Sequence, residues 1–379
     1  MTLPPWTIRL TTCGARWARP LAVTLATVLS VDACQRPTAQ SLPASLSGRV
    51  STEPGPVAAV VHGAFVGDAP DRATLRRRIT DFEALTGKNL GMVHLFVPIT
   101  GGFPAAACDE IRAGGATPLV SVSFPGESLD PVLAGTYDAD FQRFVAQAAA
   151  WRSPILLRWG WEMNGDHAWS GLRNGGADHG PARFLAAWRH LRALAVGATN
   201  LTWVWCPDAW GLGPDETWND AGAYYPGTDQ VDWLGADGYG WQVSSDNPPL
   251  EIFNGLRLAG NLLSRYQVAG KPFIVAETAA DRSDPRGGAW TESLWRDLAR
   301  VKGLRAICWF NRDQDGAAWA LQPGDPVTEA YRAAVATPIV WGPPAAPPPT
   351  PTPVPTNVWG APFQSIWQPI TIRQPGRVW

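Results

Sequence analysis

The feature that most constrains this chain is an alternation repeated eight times between about residues 57 and 312. A short, uninterrupted apolar run is followed each time by an amphipathic stretch with apolar residues at helical spacing. Uninterrupted apolar runs suit strands buried on both faces, the condition of a parallel sheet covered by crossover helices. The strands read as Val57–Val66, Leu90–Ile99, Pro118–Phe124, Ile155–Trp161, Leu201–Cys206, Val231–Tyr239, Phe273–Glu277 and Leu304–Phe310. Between them, Arg72–Thr86, Asp138–Trp151, Ala182–Val196, Leu250–Tyr266 and Ala289–Lys302 read as helices. Gly87, Gly197, Gly270 and Gly303 follow four of these helices, where a C-terminal cap wants positive φ.

Eight such units close most naturally into an α/β fold of the (β/α)8 TIM-barrel type. The competing architecture, a doubly wound open sheet, would place a glycine-rich phosphate turn after the first strand, and none is there. The barrel is expected over 57–340, with Asp325–Ala336 as one further helix, and a domain of roughly 290 residues is of ordinary size for this fold.

The flanks differ from the middle. Residues 1–33 carry Arg9, Arg16 and Arg19 before the uncharged run Pro20–Val31, the pattern of a bacterial export signal. That run is too short for a permanent membrane span. It ends in Val31-Asp32-Ala33-Cys34, similar to a lipobox, so membrane attachment through a lipidated Cys34 and ordinary signal cleavage both stay open. A linker is expected over 34–56, a Pro/Thr-rich linker over 341–356 and a short tail over 357–379. Removal of Cys13 and acylation of Cys34 would leave Cys108, Cys206 and Cys308, an odd set without metal-ligand spacing.

Composition narrows the partner. A net charge of -2 gives no electrostatic reason for nucleic acid binding, which needs a clustered Lys/Arg surface. The 21 Trp, against 6 Tyr and 12 Phe, point to an uncharged ligand with flat faces, a sugar polymer, although many indoles must serve the core. The His residues show no paired ligand spacing, so no metal and no cofactor is expected, and the chain is expected to act as a monomer.

Barrel chemistry sits at the C-terminal ends of strands, so acids that close a strand deserve priority. Glu162 closes the fourth strand in Arg158-Trp159-Gly160-Trp161-Glu162-Met163-Asn164-Gly165, and Glu277 closes the seventh in Val275-Ala276-Glu277-Thr278. Cleaving a glycosidic bond with retention requires a carboxylic acid and a nucleophilic carboxylate about 5–5.5 Å apart. Taken singly, either Glu is more simply a helix cap or the partner of an Arg. The two together on these strands, with the tryptophans, favour the catalytic pair.

The stretch Arg158–Gly165, with Glu-Met-Asn-Gly at its centre, resembles the fourth-strand motif of glycoside hydrolase family 26, the β-mannanase family. Asp237-Gly238-Tyr239, Ala276-Glu277-Thr278 and Trp309 fall in matching order, and the likeness covers most of residues 57–312. The resemblance implies a retaining enzyme with Glu162 as acid/base and Glu277 as nucleophile. It further implies that Tyr239 bonds the nucleophile and that Trp309 is the platform under the sugar being cleaved. This chain departs from the family at Trp161, where His is usual, and an indole offers one donor and no acceptor.

Other residues expected at the substrate are Arg158, Trp161, Asn164, Trp205, Asp208, Trp210 and Trp241. Arg158 reads equally as the neutraliser of a structural acid, and Asp208 equally as a loop cap. The polar, glycine-rich stretch Asp166–Gly180, with His167, Trp169 and His179, follows the acid/base strand and should shape the cleft. His62 and His94 lie within strands and read first as core residues. The expected activity is endo-acting hydrolysis of a β-linked polysaccharide, β-1,4-mannan first, with mixed-linkage β-glucan or β-1,3-xylan as alternatives. A non-catalytic carbohydrate-binding barrel is the reading from a different class.

Overall fold

All eight apolar runs form strands, in the order in which they occur. The computed structural model describes residues 59–209, 211, 217–240, 248–253 and 262–344. Within these, β1 (Val60–Phe65), α1 (Arg72–Thr86), β2 (Met92–Pro98), α2 (Ala105–Ala113), β3 (Thr117–Ser123), α3 (Asp130–Leu133), α4 (Asp138–Trp151) and β4 (Ile155–Trp159) make the first half. Then come α5 (Gly176–Leu194), β5 (Leu201–Trp205), β6 (Trp233–Asp237), α6 (Pro249–Phe253), α7 (Leu262–Ala269), β7 (Phe273–Thr278), α8 (Gly287–Ser293), β8 (Leu304–Phe310), α9 (Pro326–Val335) and β9 (Val340–Trp341). Parallel pairing runs from β1 through β8, and β8 pairs back onto β1, so the sheet closes into a (β/α)8 barrel. The two-residue β9 extends the sheet beside Val60 and Val61, and it is too short to leave a pattern in the sequence.

Helix ends follow the local chemistry. Asp71 caps α1 by accepting from the Thr74 amide at 2.7 Å, and Gly87 ends it in the left-handed region at φ 72°. The stretch Ala289–Lys302 does not form one α-helix: α8 ends at Ser293 and a wider π turn follows over Leu294–Leu298. Two further differences lie beside the site. α5 starts six residues early and runs through Pro181; within it Gly180 lies so close to Gly171 that a Cβ would sit 2.3 Å from its carbonyl oxygen. β4 stops at Trp159 instead of Trp161, because Gly160 and Glu162 take φ values of 62° and 52°, outside strand geometry.

Alternation along the strands separates two environments. Trp159 stacks on Phe184 of α5 with ring centroids 5.6 Å apart, Trp203 meets Trp188 edge-on, and Trp309 meets Tyr331 of α9 at 4.9 Å. These fully buried indoles fill the layer between barrel and helices, each contributing about 1.5–3 kcal/mol by area removed from water. Their strand neighbours point the other way, into the barrel. Cys108, Cys206 and Cys308 are buried free thiols, and among the described residues no helix is long and apolar enough to cross a membrane.

Candidate active site

The inward positions at the C-terminal ends of β4, β6 and β7 are charged. Arg158, on β4, is fully buried and reaches across the barrel to acids on two other strands. One Nη donates to Asp237 Oδ2 at 2.5 Å, the other to Glu277 Oε1, and Nε donates to Ser121 Oγ at 2.7 Å. The Tyr239 hydroxyl donates to the other Glu277 oxygen at 2.7 Å. Asp237 and Glu277 stand side by side in the register of β6 and β7, just after a shift that leaves Ala276 of β7 without a counterpart. Breaking such a buried set by deleting the cation costs on the order of 3–5 kcal/mol, because the carboxylates lose their compensation.

Glu162 arrives differently. After Gly160 the backbone leaves the strand, and Glu162 itself is left-handed, a conformation that costs a non-glycine residue about 1–3 kcal/mol and that clusters at functional sites. Its amide donates to the Cys206 carbonyl at 2.8 Å, and its own carbonyl accepts from Gly165 in a tight turn. The carboxylate therefore points into the barrel mouth. Oxygens of Glu162, Asp237 and Glu277 all lie within 4.8 Å of one another. So close an approach of oxygens is in keeping with the short class of paired glycosidase carboxylates, about 5–5.5 Å apart.

Electrostatics sort these groups. Burial pushes Asp237 well above the ordinary carboxylate range, with Glu277 and Glu162 adding to it and Arg158 opposing it. Burial also raises Glu277, opposed by the Arg158 and Tyr239 donors that favour its charged form. Burial opposes the charge on Glu162 too, but the bond from His167 and the charges of His167 and Arg158 hold its carboxyl below the usual value. Burial and the surrounding carboxylates keep the Tyr239 phenol protonated, and so a donor. Burial and Arg158 keep His94 neutral, with Nε2 2.7 Å from Ser121 Oγ.

Above these groups opens a cavity of about 610 Å³, walled by Phe65, Phe96, Trp161, Phe310, Tyr239 and Trp319 and floored by Glu162 and Glu277. The size and the mixture of flat apolar faces with a few polar groups are those of a small-molecule or sugar site.

A family model, that of Glycosyl hydrolase family 26, matches residues 138–260, which include the Glu162 turn and both strands that follow it. Over that stretch the chain is similar to glycosyl hydrolase family 26. Among curated proteins, Endoglucanase H of Acetivibrio thermocellus is 24% identical over 280 residues, covering 72% of this chain and 30% of that protein. The Beta-1,3-xylanase TXYA of a Vibrio species is 28% identical over 164 residues, 41% of this chain and 28% of that one. The chain thus spans less than a third of the length of either relative. A solved β-mannanase from Bacteroides ovatus, described as a member of the same family, superposes with a TM-score of 0.53 at 14% identity, over 75% of this chain and 90% of that one. At that identity the likeness speaks for the barrel fold alone.

The structure places Glu162, Glu277, Arg158, Tyr239 and Trp161 together. It corrects four other expectations. Trp309 is fully buried on the outer side of β8, with its Nε1 on the Trp319 carbonyl at 3.2 Å, so it is no platform. Its strand neighbour Phe310 faces the cavity, and the indole at the mouth is Trp319, whose ring lies 5.1 Å from that of Tyr239. Trp205 is likewise outward, its Nε1 on the Tyr224 carbonyl at 3.0 Å. Asn164 is fully buried and clasps the next strand end: its Nδ2 donates to the Asp208 carbonyl at 2.8 Å and its Oδ1 accepts from the Asp208 amide at 2.9 Å. Asp208 is half-buried and lies beside that clasp instead of lining the cavity. Trp210 and Trp241 lie outside the described residues, as do 1–58 and 345–379.

Sequence reasoning passed over Trp319, Phe96 and the chemistry of Asp237. Asp237 was open to the same strand-end rule that singled out Glu162 and Glu277. Trp319 sits in the loop after β8, where barrel sites gather their loop residues.

Proposed function

We propose that this chain is a retaining, endo-acting glycoside hydrolase of β-linked polysaccharide. The observation that carries the reading is the pair of carboxylates from β4 and β7, within 4.8 Å of each other at the floor of an aromatic-walled cavity. Glu162 protonates the glycosidic oxygen while Glu277 attacks the anomeric carbon, and Glu162 then takes the proton of the water that releases the glycosyl-enzyme. Arg158 and Tyr239 hold Glu277 in its charged, oriented form before attack. No metal or cofactor enters this scheme.

β-1,4-Mannan is the first substrate, in keeping with the resemblance and with the solved β-mannanase of the same fold. A second reading, mixed-linkage β-glucan or β-1,3-xylan, is favoured by curated relatives called an endoglucanase and a β-1,3-xylanase. Trp161 supports the same reading, because it changes the polar partner beside the acid/base where the family has His. The segment 1–33 supports export, with Cys34 either lipidated to attach the protein to a membrane or lost to ordinary cleavage, and the enzyme acts as a monomer.

The test is product release from β-mannan, galactomannan, lichenan, β-1,3-xylan and carboxymethylcellulose by wild type and Glu277→Ala. Hydrolysis of one class by wild type and its loss in the variant supports the reading and selects the substrate. Glycan binding without hydrolysis by wild type replaces it with a carbohydrate-binding barrel.

A further inference from the structure

The residue that touches the acid/base carboxyl is His167, five positions further along the same loop. Its Nε2 lies 2.7 Å from Glu162 Oε2, and each side chain is about a fifth exposed, toward the cavity. The imidazole is held flat: it stacks on Trp169 with centroids 5.0 Å apart and an interplanar angle of 11°, and Trp169 Nε1 donates to the Trp161 carbonyl at 2.6 Å. The loop is thus built to keep this ring on one oxygen of Glu162, at the wall of the cavity.

We propose that His167 is a positioning residue that stores the proton used by Glu162. This rests on the glycosidase reading above. The step balances with a single proton on the pair. The imidazolium gives its Nε2 proton to Glu162 Oε2, and a half-turn of the carboxyl presents it to the glycosidic oxygen as the bond to the anomeric carbon breaks. The neutral imidazole and the carboxylate then remain. In the second half Glu162 takes a proton from the attacking water and returns it to His167, which restores the starting pair.

The arrangement resolves a conflict at this site. An acid catalyst needs a proton, yet Glu162 is held below its ordinary value. The proton resides instead on His167: burial works against its charge, but Glu162, Glu277 and Asp208 outweigh burial and raise it above the ordinary imidazole value. The other charges around the cavity are Arg158, which lies over the Trp161 ring at 5.1 Å, the Asp166–Arg173 pair on the same loop, and Asp68, Glu127, Arg312 and Asp315 on its walls. Because the two groups are coupled, the proton leaves with a macroscopic value that belongs to the pair.

The test is the pH dependence of kcat/KM for wild type, His167→Gln and His167→Phe, on whichever of galactomannan, lichenan or β-1,3-xylan wild type hydrolyses. Phe keeps the stacking on Trp169 and removes only the nitrogens, so it stands in if the Gln variant is misfolded. The alkaline limb is expected to move to lower pH by roughly one unit or more in both variants, with KM changed less than about twofold. In parallel, NMR titration of the His167 ring in the full chain should show a value above the ordinary imidazole range that falls in Glu162→Gln. A uniform loss of rate with the alkaline limb unmoved overturns the proposal, as does a His167 value indifferent to Glu162→Gln. Silence of wild type on every glycan is a different failure, that of the glycosidase reading itself, and takes this proposal with it.

Discussion

The ends of β4 and β7 deliver the same functional group in opposite ways. At β7 the strand continues to Thr278, shifting register against both neighbours on the way, and Glu277 is buried among partners from other strands: Arg158 from β4 and Tyr239 just beyond β6. At β4 the strand breaks at Gly160, the backbone turns left-handed at Glu162, and the partner of the carboxylate is His167 from the same loop. One carboxyl is fixed by long-range contacts and the other by local ones. On the proposed assignment the difference suits the two roles: rigid donors favour the charge that Glu277 needs as nucleophile, and His167 gives Glu162 a neighbour with which to exchange a proton.

The sharpest break of that comparison is Glu277→Ala, which should lower kcat on the polymer substrate by on the order of 10⁴-fold or more, with folding preserved as judged by the thermal midpoint. Restoration by a small external anion that replaces the missing nucleophile would sharpen the assignment, and unchanged turnover would sink it. Glu162→Ala should cost less, about 10²–10⁴-fold on polymer, and little in glycosyl-enzyme formation from aryl glycosides whose leaving group needs no proton. Equal losses on both substrates would remove the distinction between the two strand ends.

A weaker effect separates the inner and outer faces of β8 and its loop. Trp319→Ala should raise KM on oligosaccharides roughly tenfold through loss of a stacking face, with kcat changed less. Trp309→Phe should leave KM in place and lower stability by about 1–3 kcal/mol, since it loses packing against Tyr331 and the bond to the Trp319 carbonyl. The reverse pattern in steady-state kinetics and thermal melts would restore Trp309 to the cleft. The smallest change in turnover belongs to Asn164→Ala. It removes the clasp on Asp208 and should cost about 1–3 kcal/mol of stability, while kcat/KM falls less than for Trp319→Ala.

The sequence by itself determined the barrel, because buried parallel strands and amphipathic crossover helices leave different periodicities, and eight of each admit few closures. It also determined which acids to consider, since Glu162 and Glu277 end apolar runs and a barrel does its chemistry there. The face of a side chain was harder to read in continuously apolar strands, where inward and outward positions look alike. Trp309 and Phe310 are adjacent and both aromatic, and only closure of the sheet put Phe310 at the cavity and Trp309 against α9. The same holds for Asn164, whose polar side chain suggested a ligand until the neighbouring strand end supplied its partners. Tertiary structure alone decided that Arg158 joins Asp237 and Glu277, residues 79 and 119 positions away, and that Glu162 falls to His167. Charge compensation in a buried site depends on distances across the barrel, and those exist only once the sheet has closed.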